Sequence, residues 1–346
     1  MRDYYTEVSF GKVDVIGSVD GWLRMPQTYD FYTNSKSGMG NYPRNCQRLV
    51  EDAVKVALDA GIDFPDNLDN FNEGVVTAFF IVHAGIGAEG IRDKVLRNNE
   101  IWSHKWGTLK RPKVGTNMTV GTYLTVPHDC NMGVCAHELG HLVMELDDFY
   151  DPNYGKDGMA WDGAGKWDLM AGGSHNNFGR TPAHLAGLHK MQHSWVDITV
   201  IDKTTKQVVV KQNTDDGGMV VKVVSSQFGK NQFLVIENRM KAGFDFHLPG
   251  EGVLIWKVDT DKQQTNPYRP ALYLIQADGK HDLDRVEQFA YNAGDAGDPF
   301  PGSEGITSVK STGNISTSFP GMDSGITIEN IKVQSGRLIT LDIIIA

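Results

Sequence analysis

Residues 131–147 read Asn131-Met132-Gly133-Val134-Cys135-Ala136-His137-Glu138-Leu139-Gly140-His141-Leu142-Val143-Met144-Glu145-Leu146-Asp147. The run predicts a helix followed by an exit turn. In a helix His137 and His141 lie one turn apart on one face, so both imidazoles can reach a single metal ion. Imidazole is a borderline-soft nitrogen ligand that suits Zn²⁺. A catalytic zinc takes three protein ligands and keeps one position for water, whose pKa falls to about 7. Glu138 stands beside that position without ligating it, where a carboxylate collects the water's proton. The expected roles are therefore His137 and His141 as metal ligands and Glu138 as general base.

The third ligand has to come from the exit turn or beyond it. Asp147 follows His141 by six residues, a spacing similar to the longer zincin pattern His-Glu-x-x-His-x-x-Gly-x-x-His with Asp in the last place. Met144 stands where that pattern has Gly, a residue that eases the backbone reversal, so the helix is expected to run slightly longer. Further on comes Trp167-Asp168-Leu169-Met170-Ala171-Gly172-Gly173-Ser174. A Met in a tight turn after the metal helix resembles the second hallmark of the metzincins. At average composition a His-Glu-x-x-His match arises by chance in about one chain in a hundred of this length. Asp147 and Leu169-Met170 are what carry the reading past its bland rival, a helix with two surface histidines and a core methionine.

The whole chain bounds the answer. At 346 residues it can bury a large core and form two subdomains. A net charge of -10, with no local basic run, disfavours nucleic acid and anionic membrane as partners. The longest apolar run, Val75 to Ala84, is too short to span a bilayer and reads as a buried strand. No signal peptide precedes Tyr4-Tyr5, which implies either a cytosolic protein or a chain without its leader. Cys46, Cys130 and Cys135 make no disulfide framework. Cys130 and Cys135 are close enough in sequence to bridge if the geometry allows, although packed thiols are the favoured reading.

Taken in order, residues 4–22 alternate and suggest an edge hairpin. Apolar residues at Cys46, Leu49, Val50, Ala53, Val54 and Ala57 predict an amphipathic helix within 41–60, ended by Gly61. Asp66 to Gly74 is rich in oxygen donors and reads either as a degenerate calcium loop or as a solvated turn. Gly85-Ile86-Gly87-Ala88-Glu89-Gly90 spells a dinucleotide-binding fingerprint, but no acidic residue lies about 20 positions on and no βαβ pattern follows, so that reading is rejected. The acidic loop from Asp147 to Asp157 offers carboxylates for structural calcium or for orienting the ligands. Thr181-Pro182 predicts a helix start, with the helix running to about Trp195. Its histidines His184, His189 and His193 read as packed or surface residues rather than a second metal set. From Val196 short β segments follow: Val208–Val210, Met219–Val224, Phe233–Ile236, Val253–Trp256, Leu272–Ile275, Ile326–Ile331 and Leu338–Ile345. Asp215-Asp216-Gly217-Gly218 predicts a hairpin between the first two, and Gly294 to Phe300 is a further candidate calcium turn.

With these residues on the page, the chain resembles the M6 peptidases, the immune inhibitor A family of secreted bacterial zinc metalloproteases. Beside the metal helix and Trp167–Met170, the resemblance includes Glu7-Val8-Ser9-Phe10-Gly11-Lys12, Val82-His83-Ala84-Gly85, Ile101-Trp102-Ser103-His104, Ile236-Glu237-Asn238-Arg239, Leu248-Pro249-Gly250-Glu251-Gly252 and Ala277-Asp278-Gly279. Met144 and Lys257, which stands where a histidine is expected, depart from it. The resemblance implies a secreted endopeptidase made with a leader and an inhibitory pro-segment, of which this chain is expected to be a mature or trimmed catalytic region, and often with Ca²⁺ sites.

The expected fold is α+β: a zincin- or metzincin-like catalytic domain with a mixed sheet and an active-site helix over 1–196, then a mostly β subdomain over 197–346. The expected activity is zinc-dependent hydrolysis of peptide bonds in protein substrates, by a monomer with no membrane span. His175 or Tyr150 is a candidate to assist at the developing oxyanion, by nearness in sequence. Two rivals remain. One is a non-catalytic zincin shell that recognises glycans or host proteins, and the other is a zinc hydrolase acting on something other than peptide. An intact Glu138 argues against the first.

Overall fold

The computed structural model describes residues 1–153, 155–212, 217–286 and 292–346. The chain forms two compact units, residues 16–146 and residues 1–15 with 147–346. This division differs from the 196/197 boundary expected from composition, and the packing shows why. Trp167, Ala183, Ala186 and Leu188 share one core with Val235, Leu254 and Trp256, so residues on both sides of 196 bury a common surface.

The chain begins with α1 (Arg2–Val8). The hairpin expected over 4–22 is therefore corrected. Tyr4, Tyr5 and Val8 are fully buried on one helical face, and the Tyr4 hydroxyl donates to the Ala183 carbonyl at 2.7 Å. Positive φ at Phe10 and Gly11 then ends the helix, and 12–25 has no regular secondary structure.

Residues 16–146 contain α2 (Tyr29–Thr33), α3 (Cys46–Asp59), β1 (Phe80–His83), α4 (Lys94–Asn98), β2 (His104–Gly107), β3 (Lys113–Val114), β4 (Met118–Thr119), β5 (Thr122–Pro127) and α5 (Met132–Met144). The expected helix is α3. Asn45 caps it by accepting from the Arg48 amide, its apolar face enters the core with Tyr32, Ile101 and Tyr123, and Gly61 leaves it at φ +76°. One sheet has the order β1-β5-β2, with β1 parallel and β2 antiparallel to β5. The strand expected over 75–84 is shorter, and Val82 remains 46% exposed because β1 is an edge. In the oxygen-rich stretch before it, the Asp69 carboxylate accepts from the Glu73 and Gly74 amides and closes a turn. The Gly85–Gly90 stretch leads only to a single 3₁₀ turn, Ala88–Gly90.

Residues 147–346 contribute α6 (Gly187–Gln192), β6 (Asp197–Ile201), β7 (Thr205–Val210), β8 (Met219–Val223), β9 (Gln232–Arg239), β10 (Gly252–Asp259), β11 (Leu272–Leu274), β12 (Ile326–Val333) and β13 (Ile339–Ile345). A mixed sheet has the order β11-β10-β9-β8-β6, and an antiparallel sheet has the order β12-β13-β7. Val210, Val223, Ile236, Ile255, Ile328 and Leu341 from the two sheets meet in one core. The hairpin expected between β7 and β8 does not form, since each joins a different sheet; its turn residues Asp215 and Asp216 lie outside the described residues. The helix expected from Thr181 is reduced to the six residues of α6. Upstream amides are already engaged: Ala183 with the Gly173 carbonyl, His184 with Asp245 and Ala186 with Asp168. Amides held by partners remote in sequence leave no start for a helix there. The protein is α+β with mixed sheets, and among the described residues no helix is long and apolar enough to cross a membrane.

Candidate metal centre

Helix α5 packs on β5 and β2. Glu138, Leu139 and Leu142 are buried, whereas His137 and His141 are only half-buried. The two imidazoles stand at 89° to one another with their Nε2 atoms 3.1 Å apart. Two nitrogens on one tetrahedral zinc, at about 2.0–2.1 Å each, would be roughly 3.3–3.4 Å apart. The pair is thus set at close to the bite of a single ion.

The exit turn fixes which nitrogen His141 offers. Met144 is the last helical residue, and Glu145 takes the left-handed conformation at φ 52°. The Leu146 amide then reaches back to the Gly140 carbonyl at 3.2 Å. In the same turn the Leu146 carbonyl lies 2.6 Å from His141 Nδ1. A carbonyl only accepts, so Nδ1 carries a proton and Nε2, facing His137 Nε2, is the nitrogen left to ligate. The Lys105 ammonium, from β2, donates to the His141 backbone carbonyl at 2.8 Å and satisfies an acceptor at the helix end.

Past Leu146 the chain carries the paired acids Asp147, exposed, and Asp148, half-buried. Asp147, the third ligand expected from the sequence, belongs to the unit that includes residues 147–346, whereas His137 and His141 belong to that of residues 16–146. With Met144 in place of glycine, the reversal occurs at Glu145, one residue later than in the longer pattern.

The turn around Met170 is built by Asp168. Its buried carboxylate accepts from the Met170 amide at 2.6 Å and the Ala186 amide at 2.9 Å. Burial pushes Asp168 up to about 6, and these two amides pull in the opposite direction. The Met170 carbonyl accepts from the amide of Phe149, the residue next to Asp148. Arg239 of β9, fully buried, donates to the Trp167 carbonyl at 3.0 Å and holds Asp245 through two bonds of 2.6 and 2.7 Å. A Cβ added at Gly173 would stand 2.4 Å from the Asp168 carbonyl, so this turn needs glycine.

Other candidates read from the sequence fall elsewhere. His184 is fully buried between Glu7 and Lys190, and His189 stacks on Phe149 at 4.3 Å, so both are packed histidines. Tyr150 is half-buried and His175 exposed. In the acidic loop, Asp151 and Asp157 close turns on the amides of Asn153, Gly155 and Met159. A second acidic group, which includes the Gly294–Phe300 turn, brings together Asp278, Asp295 and Asp298. Lys280 lies 2.7 Å from Asp278 and 3.5 Å from Asp295. Burial pushes Asp298 up to about 7.

Residues 1–200 match the family model described as "Immune inhibitor A peptidase M6, catalytic domain". The chain belongs to the M6 peptidase family. It is 30% identical over 284 residues to "Immune inhibitor A" of Bacillus thuringiensis subsp. alesti, covering 67% of this chain and 40% of that protein. It is 33% identical over 199 residues to "Pre-pro-metalloprotease PrtV" of Vibrio cholerae serotype O1 (strain M66-2), covering 50% of this chain and 21% of that protein. The chain therefore spans well under half the length of these curated relatives. Family membership implies a metal cofactor, and two imidazoles with a carboxylate are a donor set that fits zinc.

Proposed function

We propose that this chain is a zinc-dependent endopeptidase acting on protein substrates, with His137, His141 and Asp147 holding the metal. The observation that carries the reading is the convergence of the two Nε2 atoms, 3.1 Å apart, on a helix that also bears the buried Glu138. Zinc would supply Lewis acidity toward water and the scissile carbonyl. His141 keeps its lone pair directed to the site through the Leu146 carbonyl. Glu138 takes the proton from water and passes it to the leaving amine. Burial of Glu138 limits competing water around that carboxylate.

The division of labour proposed is catalysis by 1–196 and support or recognition by the β-rich 197–346. Secretion and a monomeric state belong to the same proposal, the first resting on the relative named as a pre-pro-metalloprotease. Calcium, expected from the acidic turns, is offered a place at Asp278, Asp295 and Asp298, where it would displace the Lys280 ammonium.

A Glu138→Gln variant separates an enzyme from a binding shell. Retained zinc with a loss of casein hydrolysis on the order of 10²–10⁴-fold is the expected result. Hydrolysis at the parental rate would remove Glu138 from the mechanism.

A further inference from the structure

The three cysteines differ sharply in setting. Cys46 is fully buried at the start of α3, and a Cβ built on Gly38 would lie 2.3 Å from its sulfur, so nothing can approach it. Cys130 and Cys135 are half-buried and near the surface. Cys130 sits in the turn that leaves β5, its amide donating to the Pro127 carbonyl at 3.0 Å. Cys135 is in the first turn of α5, its amide donating to the Asn131 carbonyl at 3.3 Å. Their Sγ atoms are 3.0 Å apart. A disulfide bond of about 2.05 Å requires only about 1 Å of further approach.

We propose that Cys130 and Cys135 form a reversible disulfide that staples the first turn of α5 to the end of β5. The oxidant is a small-molecule disulfide such as oxidised glutathione. One protein thiolate attacks it, a mixed disulfide forms and one glutathione thiol leaves. The second protein thiolate then attacks the protein sulfur of that mixed disulfide and releases the second glutathione thiol. Two protein thiols are oxidised, one glutathione disulfide is reduced, and the two thiol protons end on the two glutathiones. The staple closes a loop at the helix that carries His137. It restricts the unfolded chain, and so raises the temperature at which that helix is lost. The meaning of the staple for catalysis rests on the function proposed above, whereas its formation does not.

The test is made on the full, folded chain. Protein is equilibrated with oxidised glutathione or with a thiol reductant, then denatured, alkylated and weighed intact. After oxidation, two of the three cysteines are expected to resist alkylation with no glutathione retained, while Cys46 is alkylated. Digestion is expected to show the link between Cys130 and Cys135. A Cys130→Ser chain treated in the same way is expected to keep one glutathione on Cys135. The oxidised parental chain is expected to melt a few degrees higher than the reduced one, with no such shift in the Cys130→Ser chain. Three alkylatable cysteines after oxidation, or glutathione left on both Cys130 and Cys135, would overturn the proposal. Neither readout uses peptidase activity, so a failed peptidase assay leaves this result standing and the reverse also holds.

Discussion

His137 and His141 were legible in the sequence because four-residue spacing and metal chemistry are both local properties. The third ligand is harder to read, because it depends on where the backbone reverses. A glycine at 144 would place the left-handed residue there, but Met144 stays helical and Glu145 takes that conformation. Asp147 and Asp148 both follow that reversal, and the spacing from His141 favours Asp147. A pair of variants decides the matter at this scale. Asp147→Asn is expected to weaken zinc binding strongly, by at least 10-fold in a chelator competition, while Asp148→Asn changes it little. The reverse order of effects would assign the ligand to Asp148. The sequence also gave no hint of Lys105 or of the Leu146 carbonyl, which orient the helix end and the His141 ring from positions that carry no motif.

At the scale of elements, α3, α5 and the strands β7 to β13 were legible because their apolar residues are strongly patterned, whereas β6 was not read from the sequence. The misreadings are short segments whose hydrogen-bond partners lie far away in sequence. Residues 181–186 look like a helix start, yet Asp168 and Asp245 take the amides of Ala186 and His184. The alternation in residues 4–22 conceals a helix whose tyrosines are buried against Phe244 and Trp195. Arg239 ties several such pieces together, joining β9 to Trp167 and to Asp245. Burial alone would raise the Asp245 carboxyl, but the Arg239 guanidinium outweighs it and holds Asp245 far below its ordinary value. An Arg239→Met substitution removes the guanidinium that neutralises the buried Asp245 carboxylate. It should lower stability by about 3–5 kcal/mol, measured by urea unfolding. A loss below about 1 kcal/mol would mean that this carboxylate finds water or other donors.

At the scale of the whole molecule, buried acids and bases set how stability changes with pH, in opposing directions. Asp298 and Asp168 are raised above their unfolded value of about 3.9, so their contribution is full below that value and is lost as pH rises through about 7 and about 6. His104, lowered to about 4 by burial, contributes above about 6.5 and loses that contribution as pH falls toward 4. Asp245 contributes above about 3.9 and loses its share in stronger acid. An Asp298→Asn chain, whose amide oxygen can keep the bond from Trp167, isolates one term. Without added divalent cations it should be the more stable protein at pH 8, with an advantage that fades as pH falls to about 4. Equal pH dependence of the two chains in thermal melts would show that Asp298 ionises normally.

The central claim is that one metal, held on α5, performs the reaction. The measurement is zinc content of the purified chain, taken together with casein cleavage before chelation, after it and after zinc is restored. The account predicts about one zinc per chain, cleavage abolished by the chelator and cleavage recovered on return of zinc. Casein cleavage that persists in protein stripped of metal would contradict it, as would a chain that binds no zinc.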